Sequence, residues 1–277
     1  NARLSEKSKE NYSKYKSLIA PAIRSLDLIL AQFESDRERF SELTNEKEIN
    51  LCGNLKFDQD VPSELEEISN NIRRDWSIKG ELRPTLIAAS THEGEEEIVL
   101  EAFKHIQKKY PNALLILVPR HLERFKRVKS MVRNSGLILA SRSQKTEISE
   151  KTQVLLGDTI GELNFLYSLA DVAFVGGSLI DHGGQNLLEP SAQSLALLSG
   201  PSLRNFHDIS MQLLDNKALL IINNAEGLSK EFIELLENRD LLKEIGNSAF
   251  KVFTQNRGAL QKILNQLDKK FKITEII

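Results

Sequence analysis

Seven continuous apolar runs of strand length are the feature that most constrains the fold of this 277-residue chain. They lie at 85–89, 114–118, 137–140, 153–156, 172–175, 195–199 and 219–222. Most of the segments between them are predicted helices, at 95–109, 122–134, 161–169, 187–193 and 204–215. Because apolar residues in the runs do not alternate with polar ones, each strand is expected to be buried on both faces. The pattern predicts an α/β fold with a parallel sheet and right-handed crossovers.

The first 57 residues show this pattern only twice. Helices are predicted at 14–23 and 35–43, and apolar runs lie at 26–31 and 49–52. Two strands are too few to close a core, so residues 1–57 are interpreted as the second half of a domain. The chain begins at Asn1 and is expected to lack an N-terminal part. Residues 58–83 are interpreted as a linker and helix, and 84–277 as a second domain. Its helical end, after about 259, is expected to return to the N-terminal part.

Composition excludes several classes of function. The 37 basic and 39 acidic side chains leave a formal charge of −2, so binding of nucleic acid through bulk charge is not expected. No apolar stretch approaches the roughly 18 residues of a membrane-spanning helix. The single cysteine, Cys52, excludes an internal disulfide and fits a reducing compartment.

The stretch LIAASTHEGEEE, at 86–97, joins a buried strand to an acidic helix. Ser90 and Glu93 have the spacing of a capping box, which predicts a helix N-terminus with backbone N–H groups free to meet an anion. His92 is a further donor to such a group. A well-capped helix with a solvated acidic face explains the same residues. The H-E-x-x-H spacing of a zinc site is absent, so no metal site is predicted.

Two further strand ends carry candidate ligand contacts, because ligands of open parallel sheets bind at the carboxyl ends of the strands. Strand 114–118 is followed by Arg120, whose planar charged fork suits a phosphate. An ion pair with an acidic neighbour is the alternative. In GDTIGEL, at 157–163, Gly161 allows the backbone to approach a ligand closely. Glu162 alternatively faces solvent.

The strongest signal is DVAFVGGSLIDHGGQNLLEP, at 171–190. It places glycine pairs at 176–177 and 183–184 in one loop, and glycine costs stability unless the backbone needs it. The helix that opens near Asn186 is predicted to aim its amides at a phosphate. Glu189 is a candidate acceptor for both hydroxyls of a ribose. Its favourable interaction with the helix dipole explains it equally.

Eight ordered stretches span the whole chain: NARLS at 1–5, GNLKFD at 53–58, ASTHEGEEE at 89–97, LLILVPRHLERF at 114–125, GDTIGEL at 157–163, FVGGSL at 174–179, GGQNLLEP at 183–190 and QNRGALQ at 255–261. Together they resemble the bacterial Kdo transferases, which move 3-deoxy-D-manno-octulosonic acid (Kdo) from CMP-Kdo to the lipid A precursor. The resemblance implies a GT-B-type glycosyltransferase fold. A complete C-terminal Rossmann-like domain would then bind the donor and follow the second half of an N-terminal one.

The resemblance also implies site residues. CMP would be contacted by Pro119, Arg120, Ile160, Gly161, Glu162, Asn186, Leu187, Leu188 and Glu189. Candidate donor contacts beyond these are Ser90, Thr91, His92, Gly177 and Ser178. The family commonly has His and Pro where this chain has Gln185 and Leu187, which removes some rigidity from the loop but no charge. No metal and no cofactor is expected, since CMP-Kdo has a single phosphate.

In the family the catalytic base is a glutamate that precedes the segment matched here, so no base is named. Lys56 is the candidate for stabilising developing negative charge, and a solvated lysine is the alternative. The whole protein is expected to catalyse an inverting transfer at the cytoplasmic face of a Gram-negative inner membrane. Its expected partners are CMP-Kdo, the lipid A precursor and, through the missing N-terminal part, the membrane surface. The chain alone is expected to bind CMP without transferring Kdo.

Two alternatives stay open. An isomerase of the UDP-GlcNAc epimerase type shares this architecture and would bind UDP in preference to CMP. A nucleotide-binding module without activity would bind a nucleotide and do no more. Release of CMP that depends on a lipid acceptor is expected of the transferase alone.

Overall fold

The computed structural model describes residues 1–45, 48–58, 60 and 62–272. The chain divides into two compact units, one of residues 1–60 with 254–277 and the other of residues 61–253. This division differs from the predicted domains 1–57, 58–83 and 84–277, because the residues after 253 group with the N-terminal segment. Residues 59 and 61 of the predicted linker and residues 273–277 lie outside the described part.

The first unit contains a two-stranded parallel sheet packed against a helix. Its elements up to residue 60 are α1 (Glu6–Ser13), α2 (Lys16–Arg24), β1 (Ile29–Ala31), α3 (Glu34–Thr44) and β2 (Ile49–Leu51). Strands β1 and β2 pair in parallel, and Ile29, Ala31 and Ile49 form their buried core. Both predicted helix–strand pairs are present. Helix α1, which the apolar pattern missed, begins at a serine N-cap, where the Ser5 side chain accepts from the backbone N–H of Ser8.

The second unit is built on a seven-stranded parallel sheet with the order β5-β6-β4-β3-β7-β8-β9. Its strands are β3 (Thr85–Thr91), β4 (Leu114–Pro119), β5 (Leu139–Ser141), β6 (Val154–Leu156), β7 (Val172–Val175), β8 (Ala196–Ser199) and β9 (Leu219–Ile221). All residues of β3, β4, β6, β7 and β8 are buried, as continuous apolar runs require. The predicted parallel α/β sheet is therefore confirmed.

Helices flank these strands along the chain. They are α4 (Leu65–Asp75), α5 (Glu95–Lys109), α6 (Phe125–Asn134), α7 (Leu163–Ser168), α8 (Leu188–Ala192), α9 (His207–Asp215), α10 (Ala225–Glu237) and α11 (Arg239–Gln255). Short 3-10 turns precede α6 and α9, at Leu122–Arg124 and Arg204–Phe206. The core includes Phe103, Phe174 and Phe232, each fully buried. The chain crosses from one side of β3 to the other when it enters β7, and such switch points are where open α/β sheets bind ligands.

The last helix, α12 (Ala259–Phe271), belongs to the first unit and contacts the 3-10 helix Leu55–Asp58. The Asp58 carboxylate accepts from the backbone N–H groups of Gly258 and Leu260, both at 2.6 Å. An acidic side chain at this place caps the start of α12 and favours its dipole. The terminal helix thus returns to the N-terminal segment, as expected. Across the described residues, none of the helices is long and apolar enough to span a bilayer.

Candidate nucleotide-binding site

A cleft of about 410 Å³ opens at the carboxyl ends of β3, β4 and β6. Five of the predicted site residues line it: Ser90, Pro119, Arg120, Ile160 and Gly161. Apolar side chains, among them Leu163 and Leu166, form much of the remaining wall. A cleft of this size with an apolar lining and a few polar groups is typical of a small-molecule site.

Arg120 is the cationic side chain that lines this cleft, and Glu123 lines it as well. The Arg120 backbone N–H donates to the Thr91 carbonyl at 3.0 Å, which ties the end of β4 to the end of β3. The side chain is exposed. Within the described residues its guanidinium makes no hydrogen bond or ion pair, so the alternative of a structural ion pair is not observed. The Arg120 guanidinium is therefore available to a ligand.

The predicted capping box of Ser90 with Glu93 is wrong. Helix α5 begins at Glu95 with Gly94 as its N-cap, at φ +94°. Ser90 is a buried strand residue in the left-handed region, at φ +55°, where the pairing of β3 with β4 shifts register. Glu93 points outward and pairs with Arg127. The strand continues one residue past Ser90, so a cap further along the chain is needed.

Glu95 is fully buried and takes the place expected for an anionic ligand at the Gly-Gly-Ser loop. Its Oε1 accepts from the backbone N–H groups of Ser178 at 2.9 Å and Leu179 at 3.0 Å. Its Oε2 accepts from those of Gly177 at 2.7 Å and His92 at 2.9 Å. Successive backbone N–H groups of this kind are a common phosphate cradle. The backbone N–H groups of Gly177 and Ser178 therefore bind Glu95 and are not free for a ligand, and contact of the donor with these two residues stays a prediction.

The glycine pair after β7 leaves space for two side chains that follow β3. A Cβ on Gly176 would lie 2.9 Å from Glu95 Oε2 and 2.8 Å from the Ser90 carbonyl oxygen. A Cβ on Gly177, which has φ +67°, would lie 3.3 Å from the His92 ring. Glycine at these two positions therefore permits close packing between neighbouring strand ends.

Thr91 likewise has an internal partner. Its hydroxyl donates to Glu96 at 3.1 Å, and Glu96 pairs with Arg124 at 2.8 Å. Both Thr91 and Glu96 are fully buried. The Thr91 hydroxyl is therefore committed to this buried pair, and contact of Thr91 with the donor stays a prediction.

The second glycine pair and the start of α8 are also internally bonded. The backbone N–H of Gly184 donates to the Gly177 carbonyl at 2.7 Å. Helix α8 has only five residues, and the backbone N–H of Leu188 donates to Asn186 Oδ1 at 3.1 Å. The predicted display of α8 amides to a phosphate is therefore wrong for this N–H. The side chain of Leu187 is buried, as is that of Leu188, so a ligand would meet only their backbone.

Glu189 lies at the edge of this region and is partly exposed. The Asn186 side-chain amide donates to Glu189 Oε1 at 2.9 Å, which orients the carboxylate. Burial, and then the charge of Glu189, raises the pKa of Tyr167, the neighbour of the cleft residue Leu166. Neither Glu189 nor Asn186 lines the cleft.

Two carboxylates hold the loop after β6. Asp158 accepts from Ser141 Oγ at 2.7 Å and from Ser143 N at 2.8 Å. Glu162 forms a two-pronged ion pair with Arg142, at 2.9 and 3.1 Å, and accepts from Thr159. The hydrogen bonds from Arg142 and Thr159 lower the pKa of Glu162. The loop is therefore fixed in position.

Between these anchors the tip of the loop is presented to solvent. Ile160 is 75% exposed and Gly161 has φ +81°. Glu162 faces a larger cleft of about 1150 Å³ with Arg142 and does not line the smaller one. Of the predicted set, Ile160 lines both clefts, Gly161 lines the smaller one and Glu162 the larger one.

Asp158 gives a testable dependence of stability on pH. Burial raises its pKa, but hydrogen bonds from Ser143 and Ser141 outweigh burial and lower the pKa below its ordinary value. Its stabilisation is therefore full above the unfolded value of about 3.9 and is lost as pH falls through the lower folded value. We expect the difference in unfolding free energy between the unchanged chain and Asp158→Asn to be constant from pH 7 to 5 and to shrink below pH 4. Urea unfolding at each pH measures it, and a difference independent of pH would contradict the assignment.

Three histidines meet near the cleft, of which sequence reasoning singled out only His92. The His92 ring lies 3.9 Å from that of His182 and 5.2 Å from that of His121. Gln185 Nε2 donates to His92 Nε2 at 2.9 Å, so this nitrogen accepts and the ring is neutral. Burial, followed by His182, His121 and Arg120, lowers the pKa of His92 to about 4 against the opposing charge of Glu95. A signal was present, since His121 and His182 both follow strand ends.

Lys56 lies in the first unit, in the 3-10 helix Leu55–Asp58, with an exposed side chain. Its backbone N–H donates to Asn54 Oδ1 at 3.0 Å. Its role in charge stabilisation stays a prediction. In the part of the chain that the structure describes, no group of three or more His, Cys, Asp or Glu side chains is arranged to hold a metal ion.

Comparison with known proteins assigns the class to which this fold and cleft belong. The family model described as glycosyl transferases group 1 matches residues 87–252, more than half of the chain. A second family model, described as 3-deoxy-D-manno-octulosonic-acid transferase (kdotransferase), matches residues 1–59. The chain is therefore a member of the group 1 glycosyltransferases.

Individual similar proteins identify a more specific family within the group 1 glycosyltransferases. A 3-deoxy-D-manno-octulosonic acid transferase of Haemophilus influenzae is 39% identical over 96% of this chain and 62% of its own length. A 3-deoxy-D-manno-octulosonic acid transferase of Rickettsia felis is 32% identical over 97% of this chain and 57% of its own length. The crystal structure of the C-terminal CMP-Kdo binding domain of WaaA from Acinetobacter baumannii is 33% identical, with a TM-score of 0.64, over 69% of this chain and 98% of that domain. The chain belongs to the Kdo transferase family.

This chain spans less than two thirds of the length of these curated relatives. A glycosyltransferase from Rickettsia africae, 16% identical with a TM-score of 0.56 over 99% of this chain and 69% of that one, shows the same fold. The predicted GT-B-type fold is confirmed. Nothing in the comparisons supports the epimerase-type alternative.

Proposed function

We propose that this chain supplies the CMP-Kdo-binding part of an enzyme that transfers Kdo to the lipid A precursor. One observation carries the proposal. Residues from two separate strand ends, the Pro119-Arg120 pair and the Ile160-Gly161 turn, line the same 410 Å³ cleft, and the Arg120 guanidinium there has no partner among the described residues. The similarity to a domain named for CMP-Kdo binding supports the same ligand.

The cleft residues suit the donor nucleotide in distinct ways. Arg120 would bind the phosphate through its planar fork, which favours departure of CMP because it stabilises the charge that develops on the leaving group. The fixed loop tip at Gly161 would lie against the nucleoside. Glu189, oriented by Asn186, would accept from the ribose hydroxyls, and Lys56 would stabilise developing negative charge in the assembled enzyme.

The transfer itself would be inverting. A base deprotonates an acceptor hydroxyl, this oxygen attacks the anomeric carbon of Kdo, and the bond from that carbon to the phosphate oxygen breaks as CMP leaves. No residue of this chain is assigned as that base. The 277-residue chain by itself would therefore bind the donor without transferring Kdo. In the whole protein, residues 1–57 would contribute to an acceptor-binding domain, at the cytoplasmic face of the inner membrane.

Calorimetric titration of CMP and UMP into the chain tests the donor site. We expect CMP to bind more tightly than UMP, and Glu189→Ala to weaken CMP binding about ten- to a hundred-fold, because a hydrogen bond to a charged group contributes about 1.5–3 kcal/mol. Arg120→Lys should also weaken it, since an ammonium does not reproduce a bidentate fork. Glu97→Ala and Arg127→Lys are matched controls at exposed positions and should bind CMP normally.

Two results would contradict the proposal: tighter binding of UMP than of CMP, or unchanged CMP affinity in both Arg120→Lys and Glu189→Ala. The finer proposal of transfer is tested on the whole protein with CMP-Kdo and a lipid A precursor. Release of CMP should then require the acceptor. Preferred binding of UDP would favour the epimerase-type activity instead.

A further inference from the structure

Three imidazoles and a guanidinium converge at the carboxyl ends of β3, β4 and β7. His92 follows β3, Arg120 and His121 follow β4, and His182 lies in the loop after β7. The rings of His121 and His182 lie 5.2 and 3.9 Å from that of His92. Arg120 and His121 are adjacent in the chain, and both line the cleft. Four groups able to carry positive charge thus occupy one place at the switch point of the sheet.

The loop after β7 is built around the His92 ring. Gly177 leaves room for it, since a Cβ there would lie 3.3 Å from His92 Cδ2 and 3.2 Å from Gln185 Cγ. Gln185 donates to His92 Nε2, so the ring proton lies on Nδ1. Glu95 accepts from the backbone N–H groups of both His92 and Gly177, which fixes the two segments relative to each other. This ring is held as a neutral donor of defined orientation.

Two of the carboxylates near the cluster have partners of their own, whereas Glu123 lines the same cleft as Arg120 and His121. Glu95 is fully buried and accepts four backbone N–H groups. Asp181, next to His182, pairs with Arg204. Among the described residues, no hydrogen bond or ion pair joins Arg120, His121 or His182 to a carboxylate. The charges of His182, His121 and Arg120 add to burial in lowering the pKa of His92. An arrangement of this kind is characteristic of functional sites, where a bound anion compensates it.

We propose that His92, His121 and His182, with Arg120, form a subsite for one oxyanion of the donor, supplied either by its phosphate or by its sugar carboxylate. The inference rests on the proposed function, because the donor named there carries both groups. His92 Nδ1 donates a hydrogen bond without charge, and Arg120 supplies the permanent charge. His121, which lines the cleft, and the exposed His182 close around the anion from two sides.

Titration of cytidine, CMP and CMP-Kdo into the 277-residue chain and into His121→Ala and His182→Ala separates the two sources. If the phosphate is bound here, CMP should bind about ten-fold more weakly to the variants while cytidine binds as before. If the sugar carboxylate is bound, CMP should be unaffected and CMP-Kdo should bind about ten-fold more weakly. His105→Ala is the matched control, since it lies ten residues beyond Glu95 on α5, about 15 Å along the helix.

Unchanged affinity of both variants for all three ligands would overturn the subsite. An equal loss for cytidine, CMP and CMP-Kdo would also overturn it, because that result means only a displaced loop. His182→Gln keeps a hydrogen-bond donor without an ionisable ring, and it should retain more affinity than His182→Ala for the ligand that carries the bound anion. Failure of the unchanged chain to bind CMP and CMP-Kdo is a different result, which overturns the proposed function itself.

Discussion

Replacement of Glu95 by Gln should lower the free energy of unfolding by about 3–5 kcal/mol. The carboxylate accepts four backbone N–H groups in a fully buried position. A glutamine has one acceptor oxygen and directs its NH₂ group at N–H donors, so at least two amides lose their partner. Each buried donor left unsatisfied costs about 1–3 kcal/mol. Urea unfolding followed by circular dichroism measures the change.

Glu97→Gln is the control for this substitution, because Glu97 lies in the same first turn of α5 but is exposed. It should change stability by less than about 0.5 kcal/mol. Similar small effects of Glu95→Gln and Glu97→Gln would show that the loop after β7 does not depend on the carboxylate. Glu95 fixes the loop after β7 relative to the segment that follows β3. Nucleotide binding by any folded Glu95→Gln protein should therefore be weaker as well.

Gly246→Ala should destabilise the second unit by about 3 kcal/mol, although helix propensity alone favours the substitution. Gly246 lies inside α11, where alanine is intrinsically better than glycine by about 1 kcal/mol. In the folded chain, however, a Cβ at this position would overlap the carbonyl oxygen of Ser194, just before β8. Relief of the overlap requires α11 or the Ser194 turn to move, and overpacking of this kind typically costs about 1–3 kcal/mol or more.

Gly227→Ala is the matched control, since Gly227 also lies in a helix, α10, but a Cβ there meets its nearest atoms at 3.5 Å or more. This substitution should be neutral or stabilise the chain by up to about 1 kcal/mol. Thermal and urea unfolding of both variants measure the difference in sign. A stabilising Gly246→Ala would show that α11 is not held against the turn before β8.

Apolar patterning predicted the sheet of the second unit because its strands are buried on both faces. The runs at 114–118 and 172–175 correspond to β4 (Leu114–Pro119) and β7 (Val172–Val175). The position of Arg120 followed from the same reasoning, since the residue after a parallel strand emerges at the ligand-binding edge. The start of α5 was predicted less well, because the true cap, Gly94, has no side chain whose hydrogen bonding a motif would reveal.

The loop after β7 shows why glycine patterns alone did not define the site. Gly176 and Gly177 were expected to meet a phosphate, yet they make room for Glu95 and His92. These side chains follow β3, about 80 residues earlier in the chain, and nothing local to the glycines indicates which anion they face. The three-histidine cluster was missed for the same reason, since its members come from three different strand ends.

The sequence by itself determined the α/β class, the strands of the sheet, the family and the strand ends from which ligand contacts come. These properties depend on local periodicity and on short ordered motifs, which a chain carries without folding. Only the tertiary structure decided which backbone N–H groups are free, that Glu95 binds four of them, and that Arg120 has no partner among the described residues. Hydrogen bonding of a loop depends on the neighbours that sheet order brings to it, and here the adjacency of β3 and β7 places a carboxylate where the sequence predicted a ligand.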